Sequence, residues 1–427
     1  MLDIKFIREN SELIQEGAKK KRLSFDVSKL VEVDDKRKMI SQSLEERRAK
    51  QNKVSEEVAK AGQSGNITEK EKLIKEMQPL KEEMQKLDEE LKEVMKEWQT
   101  LMVSVPNIPD ISVPDGDDDS ANVEVKVWGE IPKFDFTPKD HIEIMERLDL
   151  ADFEAGSKVV GFRGYFLKNE GAELCYAIWQ LVVDLFRKNH PDYSMMIVPS
   201  LVKREALMGT GYLPQAEAEV YKTQEGNYLA GTAEVATMSY FGDKVLDKKD
   251  LPKKVLAFSP AFRVEAGSYG SDVKGLYRVH EFMKFEQVII CEASHEESVK
   301  YHEELLGNAE QILQALELPY HVVINCGGDL GLGQVKKYDI ETWMPSKNKY
   351  GETHSCSYFH DFQTRRLNIK YRDTDGKLKF AHSLNNTALA TPRILIQLLE
   401  NNQQADGSII IPEALRPYMG GKDKISK

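Results

Sequence analysis

Phe262-Arg263-Val264-Glu265 and Arg278-Val279-His280-Glu281-Phe282-Met283-Lys284-Phe285-Glu286 read as two strand-like ends, joined by a loop that holds Gly267, Gly270 and Gly275. Charges of both signs stand beside one aromatic residue. Arg263 and Arg278 carry planar guanidinium forks that match phosphate oxygens. The ring of Phe282 offers a stacking face for a base. Glu286, if buried, accepts a hydrogen bond from a small polar substrate. The competing structural reading is an exposed hairpin with a flexible tip.

Such residues need a framework. From Val123 onward, strand-like runs (Ser194–Pro199, Glu286–Cys291, His321–Ile324) alternate with helical ones (Glu173–Asn189, Ser294–Leu316, Arg393–Asn402). The irregular placement of the helices predicts an α+β domain with a largely antiparallel sheet. The first hundred residues have another texture. Leu73, Met77, Leu80, Met84, Leu87, Leu91, Val94, Trp98 and Leu101 recur at alternating spacings of four and three, a coiled-coil seam. Leu30, Val33, Ile40, Leu44, Val54, Val58 and Ala61 form a looser one. Gly62-Gln63-Ser64-Gly65-Asn66 between them suits a tight reversal, so residues 27–103 should form an antiparallel helical hairpin, with Pro79 interrupting the second helix. At ~1.5 Å per residue the arm should project about 50 Å. Ile4, Ile7, Leu13 and Ile14 mark a helical lead-in. Three prolines and an aspartate cluster between Pro106 and Asp119 read as a linker. The expected domains are residues 1–105, a linker of 106–122, and 123–427.

The chain has 427 residues, a net charge of −11 and four scattered cysteines without a Cys-x-x-Cys pair, so neither a zinc site nor a disulfide framework is expected. No run of eighteen apolar residues and no signal peptide occur, which predicts a cytoplasmic protein with no membrane segment. Residues 1–109 hold 22 basic and 22 acidic side chains, so the whole negative excess lies in the rest. On this neutral arm Lys19-Lys20-Lys21-Arg22 and Arg47-Arg48 are candidate phosphate-binding patches, weighed against an ordinary solvated surface. Gly328-Asp329-Leu330-Gly331-Leu332-Gly333 lacks dinucleotide-binding spacing, and His302, His321, His360 and His382 lack metal-ligand spacing.

The Arg263–Glu286 segment resembles motif 2 of class II aminoacyl-tRNA synthetases, in the form carried by seryl-tRNA synthetases. Gly161–Ala172, Pro199-Ser200-Leu201-Val202 and Gly209–Pro214 resemble the motif 1 region, and Thr232-Ala233-Glu234 the serine-binding loop. Tyr338–Pro345, Glu352–Ser357 and Asp361–Arg366 resemble the next block. Leu384-Asn385-Asn386-Thr387, Arg393 and Leu399-Glu400-Asn401 are similar to motif 3. The likeness spans essentially the whole chain.

The resemblance implies a class II antiparallel sheet flanked by helices, a tRNA-binding coiled-coil arm and a homodimer packed through motif 1. The implied reaction joins L-serine and ATP into seryl-adenylate, then transfers serine to the 3′ end of tRNA(Ser), with a selenocysteine tRNA as a further acceptor. Arg263 would bridge the serine carboxylate and the α-phosphate. Thr232, Ala233 and Glu234 would take the ammonium end, and Glu286 with Thr387 the hydroxyl. Val264, Glu265 and Val279 would read adenine, Phe282 would stack on it, and Arg393 would hold the γ-phosphate. Glu352, Thr353, His354 and Ser355 would line the ATP site, with Glu352 and Ser355 as Mg²⁺ ligands. Departures from the family pattern are Asn386-Thr387 for Gly-Ser, Pro392 for Gly, Ser271 for Arg, Glu281 for Gln, and Thr353-His354 for a small apolar-serine pair. Locally, Thr391 suits an N-cap and Pro392 a first helical position. The competing functional reading is a catalytically silent RNA-binding scaffold that kept the fold.

Overall fold

A computed structural model describes residues 2–266 and 274–427. Ser271, Gly267 and Gly270 therefore lie outside the described residues. The chain divides into two compact units, Met1–Lys19 with Leu23–Pro106, and Lys20–Arg22 with Asn107–Lys427.

The first unit is dominated by two helices of 37 residues each, α1 (Val27–Gln63) and α2 (Ile67–Val103). At ~1.5 Å per residue each is about 55 Å long. Asp26 caps α1, accepting from the amides of Ser28 and Lys29. Asn66 caps α2 by accepting from Glu69 N at 3.2 Å, and Gly65 takes the turn's left-handed position (φ 71°). Leu30, Val33, Ile40, Leu44, Leu73, Leu80 and Val94 are buried along the seam. Helix α2 runs through Pro79. In the lead-in Ile7 and Ile14 are buried, whereas Leu13 is 43% exposed and faces away from the packed side.

A polar knot interrupts the seam where heptad counting shows none. Asp34 is fully buried and bonded to Arg8 Nη1 (3.0 Å), Arg37 Nη2 (2.9 Å), Lys38 Nζ (2.9 Å) and Trp98 Nε1 (3.1 Å). Arg37 also lies over the Trp98 ring at 5.0 Å.

In the second unit an eight-stranded sheet forms the frame. Its strands are β1 (Val123–Trp128), β2 (Ser194–Ile197), β3 (Lys253–Phe262), β4 (Glu281–Cys291), β5 (Tyr320–Ile324), β6 (Lys336–Met344), β7 (Lys349–Tyr358) and β8 (His382–Thr391), in the order β1-β5-β6-β7-β8-β4-β3-β2. Every pairing is antiparallel except β2 with β3. Helices α3 (Asn169–Asn189) and α5 (His295–Ala315) bury Ile178, Val182, Leu305 and Ile312 in one core with Ile289, Val322 and Leu384 of the sheet. Helix α4 (Ala233–Tyr240) packs Val235 and Met238 with Ala257 and Val288 in a second cluster. Helix α6 (Arg393–Asn401) follows β8.

Three local expectations change. The stretch read as a linker packs within the second unit: the Asn107 amide donates to Gly333 O (3.0 Å) and Phe359 O (2.8 Å), and Asp110 accepts from Tyr358 (2.8 Å). The basic run is no open patch, because Lys21 is buried and donates to the carbonyls of Gly331, Leu332 and Gln334, while Arg22 pairs with Asp115 and Asp117. Burial lowers the Lys21 pKa well below its ordinary value. Arg47 and Arg48 are likewise paired, with Glu83 (2.9 Å) and Asp88 (3.4 Å). Thr391 ends β8 and does not cap α6; its hydroxyl accepts from Trp179 Nε1 (2.9 Å) and donates to Met283 O (3.3 Å).

Burial tends to raise the Asp34 carboxyl, but Lys38 and Arg37 outweigh it and hold it below the ordinary value. Its contribution to stability is therefore present above the unfolded value of about 4 and lost as pH falls through the lower folded value. Asp34→Ala should destabilise the arm by about 1–3 kcal/mol at neutral pH. Circular dichroism melts at neutral pH and near pH 3 check this; the same loss at both would exclude an ionised Asp34.

Candidate active site

Residues directly opposite in an antiparallel pair share a face, and successive residues alternate. On β4, Glu286 lies opposite Ala257 of β3 and Thr387 of β8, while Lys284 lies opposite Ser259 and Ala390. Glu286 and Thr387 therefore stand side by side on one face. The other face belongs to α5: Gln287 and Asn386 both donate to Leu305 O, at 3.1 and 2.7 Å. The unusual asparagine of the third motif thus points away from Glu286.

A β-bulge places the next pair. Asp339 of β6 faces Ser355, Ile340 faces His354 and Glu341 faces Glu352, which leaves Thr353 as the extra residue on β7. Because of it, Glu352 and Ser355 share a face although they are three apart. Cys356 pairs with Asn386, so this is also the face of Thr387 and Glu286. Thr353 and His354 are buried instead. The Thr353 hydroxyl bonds Thr342 (2.8 Å) and donates to Ile340 O (3.1 Å), and the His354 ring meets Ala388 O through Nε2 at 3.1 Å. Burial pushes the His354 pKa down to about 4. Their side chains are committed to the sheet, leaving backbone atoms as their means of touching a ligand.

The buried side chains of the site are polar and bonded to one another. Thr232 caps α4 and is 1% exposed; its hydroxyl donates to Glu286 Oε2 at 3.1 Å. Lys284 forms an ion pair with the same oxygen. Ala233 is buried in the first turn of α4. Glu234 beside it accepts from Gln363 Nε2 (2.6 Å) and Tyr212 (2.9 Å). Burial first, then repulsion by Glu286, raises Glu234 to about 7, against the opposing effect of Gln363, Tyr212 and Lys284.

The rim carries the arginines. Arg263 extends from the end of β3, points Nε and Nη2 at Gly231 O (3.4 Å each) and lies 5.3 Å from the Phe282 ring centre. Its backbone pairs with His280, fixing the return of the chain next to buried Val279. Val264 N donates to Glu219 O at 3.0 Å. Glu265 has φ of 56° and pairs with Arg278 at 3.0 Å, so Arg278 faces a carboxylate here. Arg393, at the first position of α6, donates to Tyr277 O and Glu352 O (3.1 Å each) and stacks over Tyr277 at 4.6 Å. The Glu352 side chain is about half exposed; desolvation by its surroundings would raise the carboxyl, but Arg393, Lys337 and Arg263 outweigh this and hold its pKa below the ordinary value.

The structure thus brings Thr232, Glu234, Glu286 and Thr387 together in the pocket, with Arg263 and Phe282 at its edge. Lys284 and Tyr277 are the residues that sequence reasoning passed over. The signal for Lys284 was its spacing: on a strand, a lysine two residues before Glu286 must share its face.

An antiparallel sheet with a bulged β7, an arginine above a ring and an arginine opening the following helix define a class II aminoacyl-tRNA synthetase core. Residues 219–402 match the tRNA synthetase class II core domain (G, H, P, S and T), and residues 1–109 match the seryl-tRNA synthetase N-terminal domain. The serine–tRNA ligase of Deinococcus radiodurans is 45% identical, covering 100% of this chain and 99% of that one; that of Acetivibrio thermocellus is 47% identical over 99% of both. The crystal structure of the Pyrococcus horikoshii seryl-tRNA synthetase complexed with ATP superposes with a TM-score of 0.89 at 36% identity, covering 100% of this chain and 99% of that one. The chain belongs to the seryl-tRNA synthetase family.

Glu234 holds its proton more tightly folded than unfolded, so its contribution to stability is full at low pH and is lost as pH rises toward 7. Glu234→Gln should be nearly neutral at pH 5 and should gain on wild type as pH rises to 7, by on the order of 2 kcal/mol. Urea unfolding across that range reads the difference. A constant gap would mean that Glu234 is already ionised at pH 5.

Proposed function

We propose that this chain activates L-serine with ATP, forming seryl-adenylate and pyrophosphate, and transfers the seryl group to the 3′ end of tRNA(Ser), releasing AMP. The observation that carries the reading is the buried Thr232–Glu286–Lys284 contact beside Thr387, a pocket built to meet a small hydroxyl. An apolar amino acid would leave those groups unpaired. A silent scaffold has no use for such a pocket.

The chemistry is placement and charge neutralisation. A serine carboxylate oxygen attacks the α-phosphorus as the bond to the pyrophosphate oxygen breaks. Arg263 binds the carboxylate and the α-phosphate together and offsets the charge that grows at phosphorus. No general base is required, because the carboxylate is already a nucleophile. The ammonium end lies at Thr232, Ala233 and Glu234. Glu265, Val264 and the backbone at Val279 read the adenine edge, Phe282 stacks on its face, and Arg393 leaves Tyr277 to take the γ-phosphate. Backbone atoms of Thr353 and His354 complete the ATP site.

Mg²⁺ is bound in many phosphate sites by one or two carboxylates plus the substrate's own oxygens. Among the described residues no group of three or more His, Cys, Asp or Glu side chains is arranged to hold a metal. The ionised Glu352 and the hydroxyl of Ser355, brought to one face by the bulge, fit that lighter role. Bound there with ATP, the ion would supply charge neutralisation of the phosphates.

The arm reads the acceptor RNA. A long hairpin with charges of both signs suits the shape and backbone of an A-form stem. A selenocysteine tRNA that shares such a stem is charged by the same route. Phe162 and Phe166 in the motif 1 region, and Val159, Val160, Tyr176 and Ile197 beside it in sequence, are exposed apolar side chains suited to a homodimer contact. Among the described residues no helix is long and apolar enough to cross a membrane, and the four cysteines are free and buried, which favours action in the cytoplasm.

Serine-dependent ATP–pyrophosphate exchange tests the reading. Glu286→Ala should lower serine kcat/KM by at least about 10³-fold, since a site built for a hydroxyl separates its substrates by roughly 10⁴-fold; unchanged activation would refute the pocket. Deleting residues 30–100 should abolish charging of tRNA while leaving exchange within about threefold of wild type, because most of the charge contacts with a nucleic acid lie outside the adenylation pocket. Persistent charging would reduce the arm to a spacer.

A further inference from the structure

Lys284 is used by no step above, yet it sits at the bottom of the pocket. Its side chain is 9% exposed. Its ammonium contacts Glu286 Oε2 and lies 3.4 Å from Thr232 Oγ1, and the Thr232 hydroxyl donates to that same Oε2 at 3.1 Å. Two donors therefore converge on one carboxylate oxygen. Oε1 of Glu286 is left for the substrate.

This asymmetry has a chemical consequence. A carboxylate with a cation fixed at one oxygen remains an acceptor at the other, whereas a protonated carboxyl both donates and accepts. Hydrogen bonds to an ionised acceptor are the stronger kind, and leaving one unmade is the more costly. The groups that face Lys284 are Glu286 on its own strand, Thr232 and Glu234 at the start of α4, and His354 on β7. Of these Glu286 and Glu234 repel each other, and Lys284 opposes that repulsion. Burial keeps His354 neutral.

We propose that Lys284 is a positioning residue for amino-acid selection: its ammonium occupies one oxygen of Glu286 and so presents the other, as an ionised acceptor, to the substrate hydroxyl. The inference rests on the serine-activation reading and adds the residue that makes Glu286 selective.

The experiment is ATP–pyrophosphate exchange with serine and with alanine, by wild type, K284M, K284Q and K284R, from about pH 6.5 to about pH 9. K284M should lower serine kcat/KM about 10²-fold, mainly through KM, and change alanine by less than about threefold, so that a serine-to-alanine ratio near ~10⁴ falls at least tenfold. The acid limb of its serine profile should move up by about one pH unit, because Glu234, raised by burial and by Glu286, loses the opposing pull of the Lys284 ammonium. K284R, which keeps the charge, should restore the ratio to within about threefold. If K284M does not fold, K284Q decides, since it keeps a donor, one bond shorter, without the charge. Equal losses for serine and alanine with an unmoved pH profile, or no loss at all, would overturn the proposal. Absence of serine-dependent exchange in wild type would instead overturn the serine reading, and the inference with it.

Discussion

Two carboxylates, Glu234 and Glu286, are buried in one pocket, at 3% and 2% exposure. A buried carboxyl without hydrogen-bond partners is costly whether or not it is ionised, so a stable fold must deliver partners to both at once. They come from distant parts of the chain. Tyr212 and Gln363 hold Glu234, while Thr232 and Lys284 hold Glu286. The helix after Thr232, the strand through Lys284 and the short helix at Gln363 are thereby tied together around the site. One polar requirement fixes the geometry of three elements.

The sheet meets this requirement through its irregularities. At Thr353 a bulge turns a three-residue separation into a shared face for Glu352 and Ser355. A second register shift, between Phe285 and Glu286, brings Thr387 opposite Glu286. A regular ladder would have sent one member of the first pair into the core. Bulges are local distortions that re-aim side chains, and here they do so where charge and hydroxyl must meet. The face packed against α5 shows the converse economy of shape, with Gln287 and Asn386 spent on the carbonyl of Leu305.

The arm obeys a simpler rule but is not a plain hydrophobic zipper. Its seam is buried at only part of its apolar positions, and Asp34 gathers Arg8, Arg37, Lys38 and Trp98 inside it. A buried polar cluster with every partner present fixes register better than interchangeable leucines do. Basic residues that looked available for RNA, Arg47 and Arg48, are paired across the hairpin. RNA contact by those two would mean exchanging one anion for another.

The two-helix arm and the antiparallel α+β body were legible in the residues, because heptads and strand alternation are local signals. Several things were not. The aspartate-rich stretch read as a linker packs within the body, Lys21 disappears into three carbonyls, and Thr391 bonds Trp179 where a cap was expected. The residues alone left open which way the side chains of Thr353 and His354 point, and the structure turns both into the sheet. By itself the sequence determined which elements form and which chemical groups are at hand, since backbone preference and periodicity act over a few residues. Only the tertiary structure decided which face each group takes and which partner it meets. Register, bulges and burial arise from contacts between residues dozens to hundreds of positions apart, and no local pattern encodes them.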